Sequence, residues 1–452
     1  ENVAEPAQEE HHNTDLGNAK RLVKLFNGDF KYSGALGWLA WDGKRWKKNS
    51  DLKVKVIAHE LGPLLYKEAA KQSTQANRLA MSKHAAYTES SRGIKSMLEL
   101  AQDRPEIAIN VEELDNNRHL LTVKNGTLNL KTRTLKPHDR NDLITKLADV
   151  DYDKTAEAPN WLEFQKRITK GDQSVQDYKA MAFAYSLLGN PKEHCFFICW
   201  GTGANGKSTE IETIASLASD YATATKFETF IERQGEAIRN DLAALAGARL
   251  VYASEGSIGQ RLSEGTVKAL AGGDKITARF LRKEYFSFTP TFVIWVSTNH
   301  RPVIRGTDNG IWRRIRLLPY TEVIPDEEQD KDLKDKLNEE RSGILNWVIK
   351  GAEMYFASGL PTPKAVEEAT EDYRDSQDVL GEFLADYFRD EPGGFVSRKN
   401  VRDVYLEWCD NKEERPWQSR PFNEALRERR WAEKTVRGVR GWADKVISHS
   451  FV

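Results

Sequence analysis

Eight consecutive residues carry the clearest chemistry in the chain. Gly201, Thr202, Gly203, Ala204, Asn205, Gly206, Lys207 and Ser208 fit the pattern G-x-x-x-x-G-K-[ST]. Glycines at these spacings let backbone N–H groups converge on phosphate oxygens. The lysine then reaches the β and γ phosphates of a nucleoside triphosphate, and the hydroxyl after it reaches Mg²⁺. The stretch follows the apolar run Cys195 to Trp200 and precedes a helical pattern opening at Ser208 and Thr209. A buried strand therefore leads into the loop, and a helix N-terminus adds its partial positive charge to the phosphate site. The expected ligands are ATP and Mg²⁺, with Ser208 as the metal contact.

Hydrolysis needs more than a cradle. It needs a carboxylate to orient or deprotonate water and a polar side chain near the γ-phosphate. Glu255 stands at the end of the apolar run Ala248 to Ser254, and Asn299 at the end of the run Thr291 to Thr298. Ligands of open α/β sheets gather where strand ends meet on one edge, so these tips are expected to converge with Lys207. Taken singly, Glu255 could be a solvated loop acid and Asn299 a turn residue. Arg313 and Arg314, in "GIWRRIRLLPY", offer a guanidinium for charge on the transferring phosphoryl group. An arginine borrowed from a neighbouring subunit would make the site active only when assembled; a surface ion pair is the plainer reading of each.

The elements that must position these groups follow from pattern. The three short apolar runs are those of strands buried on both faces of an α/β sheet, and helical segments between the first two predict a mainly parallel arrangement. Ahead of them, residues 151–192 contain "WLEFQKRI" and "YKAMAFAYSLLG", apolar at helical spacing and read as a helical collar. Residues 13–150 read as an α+β accessory domain. Asp42-Gly43 and Asn125-Gly126 mark hairpins, and polar amphipathic helices fill residues 50 to 115. Trp38, Trp41 and Trp46 in this domain could stack bases, although a small core is the plainer account. The motor is expected at 193–325 and a helical segment packed on it at 326–378. Residues 379–452, three helices and a strand pair, have the succession of a winged helix.

Composition sets the frame. The chain has 452 residues, 39% hydrophobic and 30% charged, which fits several globular domains and excludes disorder over its length. No apolar run approaches the ~20 residues of a spanning helix, so no membrane partner and a cytoplasmic location are expected. Three cysteines support neither a disulfide framework nor a four-ligand zinc site. The net charge of -1 places any nucleic-acid contact in local patches rather than in the whole. Residues 1–12 read as a flexible acidic leader, and the missing initial Met suggests a piece of a longer polypeptide.

Together, Gly201 to Ser208, Glu255, "KALAGGDKITARFLRKEYFSFTP", "STN" and "WRRIRLLPY" resemble the superfamily-3 helicases. The likeness is specifically to the helicase half of phage and plasmid primase-helicases related to the poxvirus primase-helicase. Asn205 before Gly206-Lys207 is typical of that group, and "TDLGNAKRLV", "WLAWDGKRW" and "VKNGTLNLKTRTLKPH" are similar to the segment its members carry ahead of the motor. The resemblance implies an AAA+ type motor, a ring that is usually a hexamer, and 3′ to 5′ movement on single-stranded DNA at a fork. In a phage- or plasmid-encoded protein the cytoplasm would be that of the host. Ser254 stands where such helicases often carry a second acid beside Glu255. The group also pairs its motor with a primase domain; with no room for one before Thr14, primer synthesis is not expected of this chain. A primase or polymerase domain could belong to the parent polypeptide.

Two segments offer DNA contacts. Between Glu255 and Asn299, Ile276, Ala278 and Phe280 alternate with polar positions, as do Phe286 and Phe288. This predicts a β-hairpin with Lys275 and Arg279 on its first arm and Arg282 and Lys283 at a basic tip. In a ring, its copies would present charge to the backbone of a central strand. In "SRPFNEALRERRW", Arg420, Arg427 and Arg430 fall on one helical stripe with Asn423, opposite Phe422, Ala425 and Leu426. The competing readings are an ATP-dependent DNA loader or scaffold that does not unwind, and a P-loop kinase or small-molecule NTPase.

Overall fold

The structure, a computed structural model, describes residues 12–233, 239–254, 256–257, 259–280, 285–306, 309–412, 414 and 416–448. Two compact units divide the chain: residues 1–302 with 309–370, and residues 303–308 with 371–452.

The first unit opens with the helix Asp15–Phe26, whose N-terminus Thr14 caps by accepting from the Gly17 N–H at 3.0 Å. Three antiparallel strands follow, Phe30–Ser33, Gly37–Trp41 and Trp46–Lys47. The Asp42-Gly43 turn holds because the Asp42 carboxylate accepts from the Lys44 and Arg45 N–H groups at 2.9 Å each. Four helices follow, Asp51–His59, Leu61–Ala70, Gln75–Thr88 and Ser91–Ala101; the first packs on the strand Gly37–Trp41 and the others pack against their neighbouring helices. Their shared core includes Leu22, Phe30, Trp38, Val54, Leu65 and Met97. Trp38 and Trp46 are 5% and 1% exposed, so they serve as core rather than as stacking platforms for bases. The hairpin Leu120–Val123 with Gly126–Asn129 behaves differently. Leu121, Val123 and Leu128 join the large core that includes Phe197, Trp295 and Leu318.

The centre of the first unit is a five-stranded sheet, ordered Ile315–Pro319, Phe196–Trp200, Val293–Thr298, Leu250–Ser254, Ala222–Lys226. Every neighbouring pair is parallel. The three strands expected from apolar runs are the three central ones, the reason they read so clearly. The edge strand "ATATK" buries little apolar surface and left no such run. The strand Ile315–Pro319, inside the segment read only for its arginines, lies at the other edge.

Of the collar helices Pro159–Ile168 and Gln173–Leu188, the second packs directly on this sheet. The Trp295 ring lies between Phe183 and Phe197, with centroids at 4.0 and 4.3 Å, and its indole N–H donates to Ser186 Oγ at 3.0 Å. Asp172 caps the second helix at its start, and Gly189, at φ 62°, ends it.

In the second unit, the helices Val379–Tyr387, Arg398–Asn411 and Ser419–Glu428 enclose a core of Phe383, Tyr405, Trp408, Phe422, Leu426 and Trp442. Beside the expected strand pair, Glu433–Val436 with Val439–Ile447, lies a third strand, Phe388–Ser397. Its register breaks between Asp390 and Phe395, where Pro392, Gly393 and Gly394 interrupt any alternating pattern and hide the strand in the sequence. Among the described residues, no helix is long and apolar enough to cross a membrane.

Candidate functional site

The phosphate loop runs from the end of the Phe196–Trp200 strand to the helix Lys207–Ala218. Its glycines are fixed by space as well as by conformation. A Cβ on Gly201 would meet the Tyr320 carbonyl at 2.4 Å. One on Gly206, held at φ 77°, would meet Phe164 and Ile168 of the collar at 2.8 Å each. Gly203 and Ala204 also take positive φ, at 121° and 51°. The turn that results leaves Thr202, Ala204 and Ser208 exposed, with Gly203 and Thr209 reaching the surface less fully.

Lys207 points inward and is 6% exposed. Its ammonium donates to the Gly201 carbonyl at 2.9 Å, Asn205 Oδ1 at 3.2 Å and Asn299 Oδ1 at 3.1 Å. Burial holds its pKa below the ordinary lysine value. Asn205 is 2% exposed and ties the loop together: its Oδ1 also accepts from the Gly203 N–H at 2.6 Å, and its Nδ2 donates to the Glu322 carbonyl at 2.5 Å. The sheet explains why Asn299 arrives here. Its strand lies directly beside the loop strand with Thr298 opposite Trp200, so the residues after both strands are neighbours.

A buried ionic group stands behind the loop. Lys179, on the second collar helix, pairs with Glu210, in the first turn of the loop helix, at 2.9 Å; the two side chains are 2% and 0% exposed. The Tyr320 hydroxyl donates to the other Glu210 oxygen, and the Lys179 ammonium lies 4.6 Å from the Tyr320 ring centroid. Tyr320 also donates its N–H to the Trp200 carbonyl at 2.7 Å, so it braces both the loop and the helix. Burial pushes the neighbouring Cys199 thiol up to about 12 and Cys195 up to about 11. At the open side, the Arg301 guanidinium stacks over the Trp200 ring at 4.1 Å. Sequence reading missed Lys179, Glu210, Tyr320 and Arg301. The lone lysine in the otherwise apolar "YKAMAFAYSLL" is the signal that could have flagged the first of them.

Arg313 and Arg314 lie elsewhere. They precede the strand whose Ile315 is paired with Phe196, so they sit at the edge where strands begin, opposite the edge holding Lys207. A five-residue strand at ~3.3 Å per residue separates the two edges by about 16 Å. Arg313 is exposed, while Arg314 turns back to donate to the Gly310 carbonyl at 2.5 Å. Glu255, Arg282 and Lys283 lie outside the described residues.

The hairpin arms Ile276–Ala278 and Phe286–Phe288 pair antiparallel. Lys275 is exposed, and the Arg279 guanidinium lies over the Tyr285 ring at 4.6 Å; Tyr285 and Phe280 are 64% and 46% exposed.

In the second unit, the helix carrying Arg420 and Arg427 ends at Glu428. Arg430 therefore lies beyond the stripe, in a left-handed conformation at φ 62°. Arg420 pairs with Glu424 at 3.0 Å and Arg427 with Glu433 at 2.5 Å, while Phe422 and Leu426 are buried as their spacing predicts.

Comparison with known proteins gives consistent matches. The family described as "D5 N terminal like" matches residues 19–170, and a "Family of unknown function (DUF5906)" matches residues 199–314. A protein of Acanthamoeba polyphaga mimivirus named "Putative helicase" is 29% identical over 65% of this chain and 32% of its own length. One of the same name from Invertebrate iridescent virus 6 is 26% identical over 66% and 34%. A "Putative primase" of African swine fever virus is 24% identical over 66% and 34%. The chain thus spans about a third of the length of these relatives. The solved apo structure of the NrS-1 C terminal region matches 97% of this chain and 100% of that one, with 8% identity and a TM-score of 0.53, a likeness of fold. A D5 N terminal like segment thus leads into a DUF5906 segment that includes Gly201 to Ser208, and the chain is similar to viral proteins named as putative helicases and primases.

Proposed function

We propose that the chain is the ATP-driven motor of a DNA helicase acting in the replication of a virus or similar element. The observation that carries this reading is the meeting of Lys207 and Asn299 at 3.1 Å on one edge of the parallel sheet. A cationic phosphate contact and a polar sensor from the adjacent strand are what nucleotide turnover needs at that point. The site fits ATP in its own terms: a loop with two Cβ-free close approaches, positive φ at Gly203 and Gly206, and an exposed Ser208 hydroxyl at the helix start. Among the described residues no group of three or more His, Cys, Asp or Glu side chains could hold a metal. Mg²⁺ would therefore arrive with the nucleotide, held by Ser208 and the phosphates, and would neutralise charge on the β and γ oxygens. Glu255, following the strand next to that of Asn299, is assigned to orient water.

The arginines support an assembled machine. About 16 Å from its own loop, exposed Arg313 can serve only a neighbour's nucleotide, which favours a closed ring of AAA+ type, of which a hexamer is the usual size. The hairpin enters the strand Val293–Thr298 that ends beside Asn299, so a change at the γ-phosphate has a continuous path to Lys275, Arg279 and the tip. Phe280 and Tyr285 add aromatic faces on which bases of a single strand can stack. Movement from 3′ to 5′ along one strand of a fork, a winged-helix role for the last unit through Arg420 and Arg427, action in the cytoplasm, and a primase or polymerase domain elsewhere on a longer polypeptide complete the proposal.

Two measurements test it: ATP hydrolysis with and without single-stranded DNA, and strand displacement on a tailed duplex. Stimulated turnover with displacement supports the motor. Stimulated turnover without displacement favours a loader, and a purified Lys207→Ala variant that retains turnover refutes the site assignment.

A further inference from the structure

A second concentration of positive charge lies far from the hairpin in sequence, where the accessory segment meets the motor. The Trp46 N–H donates to the Ile144 carbonyl at 2.8 Å, which runs the segment of Arg45 and Lys48 alongside that of Lys146. Arg249, 2% exposed, donates to the carbonyls of Leu120 and Leu187 at 3.0 and 2.8 Å and lies 4.6 Å from the Tyr221 ring centroid. The Tyr221 hydroxyl accepts from the Thr122 N–H at 3.1 Å, which brings Arg249 and the turn bearing Arg118 to the same place.

Three carboxylates face these cations, and all are occupied; Asp42 pairs with Arg45 at 3.4 Å. Asp115 accepts from the Thr145 N–H at 2.8 Å and its hydroxyl at 2.5 Å. Asp220 accepts from the Leu147 N–H at 2.9 Å and pairs with Arg45. Among the described residues the Lys146 ammonium donates only to the Asp220 carbonyl, at 3.1 Å. Arg118 and Lys48, both half-buried, make no hydrogen bond or ion pair among the described residues. Arginine cannot relieve the crowding by losing its proton. The strain falls on Lys146, which burial and then Lys48 push down to about 8.

We propose that Lys48, Arg118 and Lys146 form a binding site for backbone phosphates of single-stranded nucleic acid, a contact of the accessory segment separate from the motor's own. A phosphodiester offers charge and several acceptor oxygens to an arginine fork and two ammonium groups without a base-reading partner, as a non-specific grip requires. The inference rests on the nucleic-acid reading above, but not on ATP turnover.

The test uses the full chain and a fluorescent oligo-dT, with binding measured by anisotropy across a NaCl series without nucleotide. Removing one cation that neutralises a phosphate should lower the salt slope by about 0.7 on a single strand, so Lys48→Ala with Arg118→Ala should lower it by about 1.4. Arg118→Lys should restore part of the slope. If the native chain binds and the double variant matches it in slope and affinity, this site is refuted while the helicase reading stands; if the native chain binds no oligo-dT, the nucleic-acid reading itself fails. Acylation of Lys146 near pH 8, read by peptide mass, gives a second arm. Protection by oligo-dT supports the site. Protection by inorganic pyrophosphate or by poly-glutamate, but not by oligo-dT, overturns the assignment in favour of a free polyphosphate or an acidic polypeptide.

Discussion

Removing one member of the Lys179–Glu210 pair gives the sharpest prediction. Both side chains are effectively out of water, 2.9 Å apart, on different elements: one on the collar, the other on the helix that carries the phosphate loop. Among the described residues, Lys179→Met leaves the Glu210 carboxylate with Tyr320 as its one hydrogen-bond partner, and Glu210→Gln leaves a buried ammonium over an aromatic ring. An unpaired buried charge costs about 3–5 kcal/mol, whereas replacing both partners is often close to neutral. Each single variant should therefore lose about that much stability, and Lys179→Met with Glu210→Gln should recover most of it. The coupling should be about 3 kcal/mol or more, well above the roughly 0.5 kcal/mol within which distant sites add. Urea denaturation followed by far-ultraviolet circular dichroism measures the cycle. Purely additive losses would refute the claim that these charges depend on one another. The double variant then asks what the pair is for. If it retains stability but its KM for ATP rises while kcat holds, the pair sets the position of the loop; unchanged kinetics would make it only a structural tie.

Three further outcomes follow from the geometry. Gly206→Ala must accept a left-handed backbone and contacts of 2.8 Å with Phe164 and Ile168, a combined penalty of about 2–5 kcal/mol, read as a lower melting temperature and weaker binding of a fluorescent ATP analogue. Arg313→Ala and Lys207→Ala should each be inactive alone, yet regain part of the DNA-stimulated hydrolysis when mixed, because a mixed assembly contains boundaries with an intact lysine on one side and an intact arginine on the other; no recovery in a mixture shown to co-assemble would argue against a shared site. Lys146, at about 8 in the folded chain against an ordinary 10.5, holds its proton in the unfolded chain through a window where the folded chain has given it up. Stability should rise with pH from about 8 toward 10.5, and a melting series of Lys146→Met against the native chain should show that increment missing.

Much of the parallel sheet was legible because its central strands are buried on both faces. Such strands must be apolar throughout, and a glycine loop after one of them has few other uses. The hairpin arms were legible by alternation alone. The edge strand Ala222–Lys226 escaped because an edge needs backbone partners more than apolar side chains, and Phe388–Ser397 escaped because its bulge breaks the period of two. The site was legible only as far as its strand ends. Lys179 and Tyr320 reach the loop from the collar and from the end of an edge strand, and their relation to Glu210 exists only once the layers are packed. The hairpin Leu120–Asn129, read as part of an accessory domain, shares its core with the five-stranded sheet because Leu121, Val123 and Leu128 all face inward, which local pattern cannot reveal.

The three cysteines have a practical consequence. Cys195, Cys199 and Cys409 are all buried, and burial drives each thiol above its ordinary value, so little thiolate is presented to solvent near neutral pH. The native chain is in effect silent toward maleimides and nitroxide reagents. A single cysteine placed at exposed Lys275 or Arg313 would then report alone, and distances between labels on neighbouring copies could be followed through a nucleotide cycle without first stripping the protein of its own sulfur.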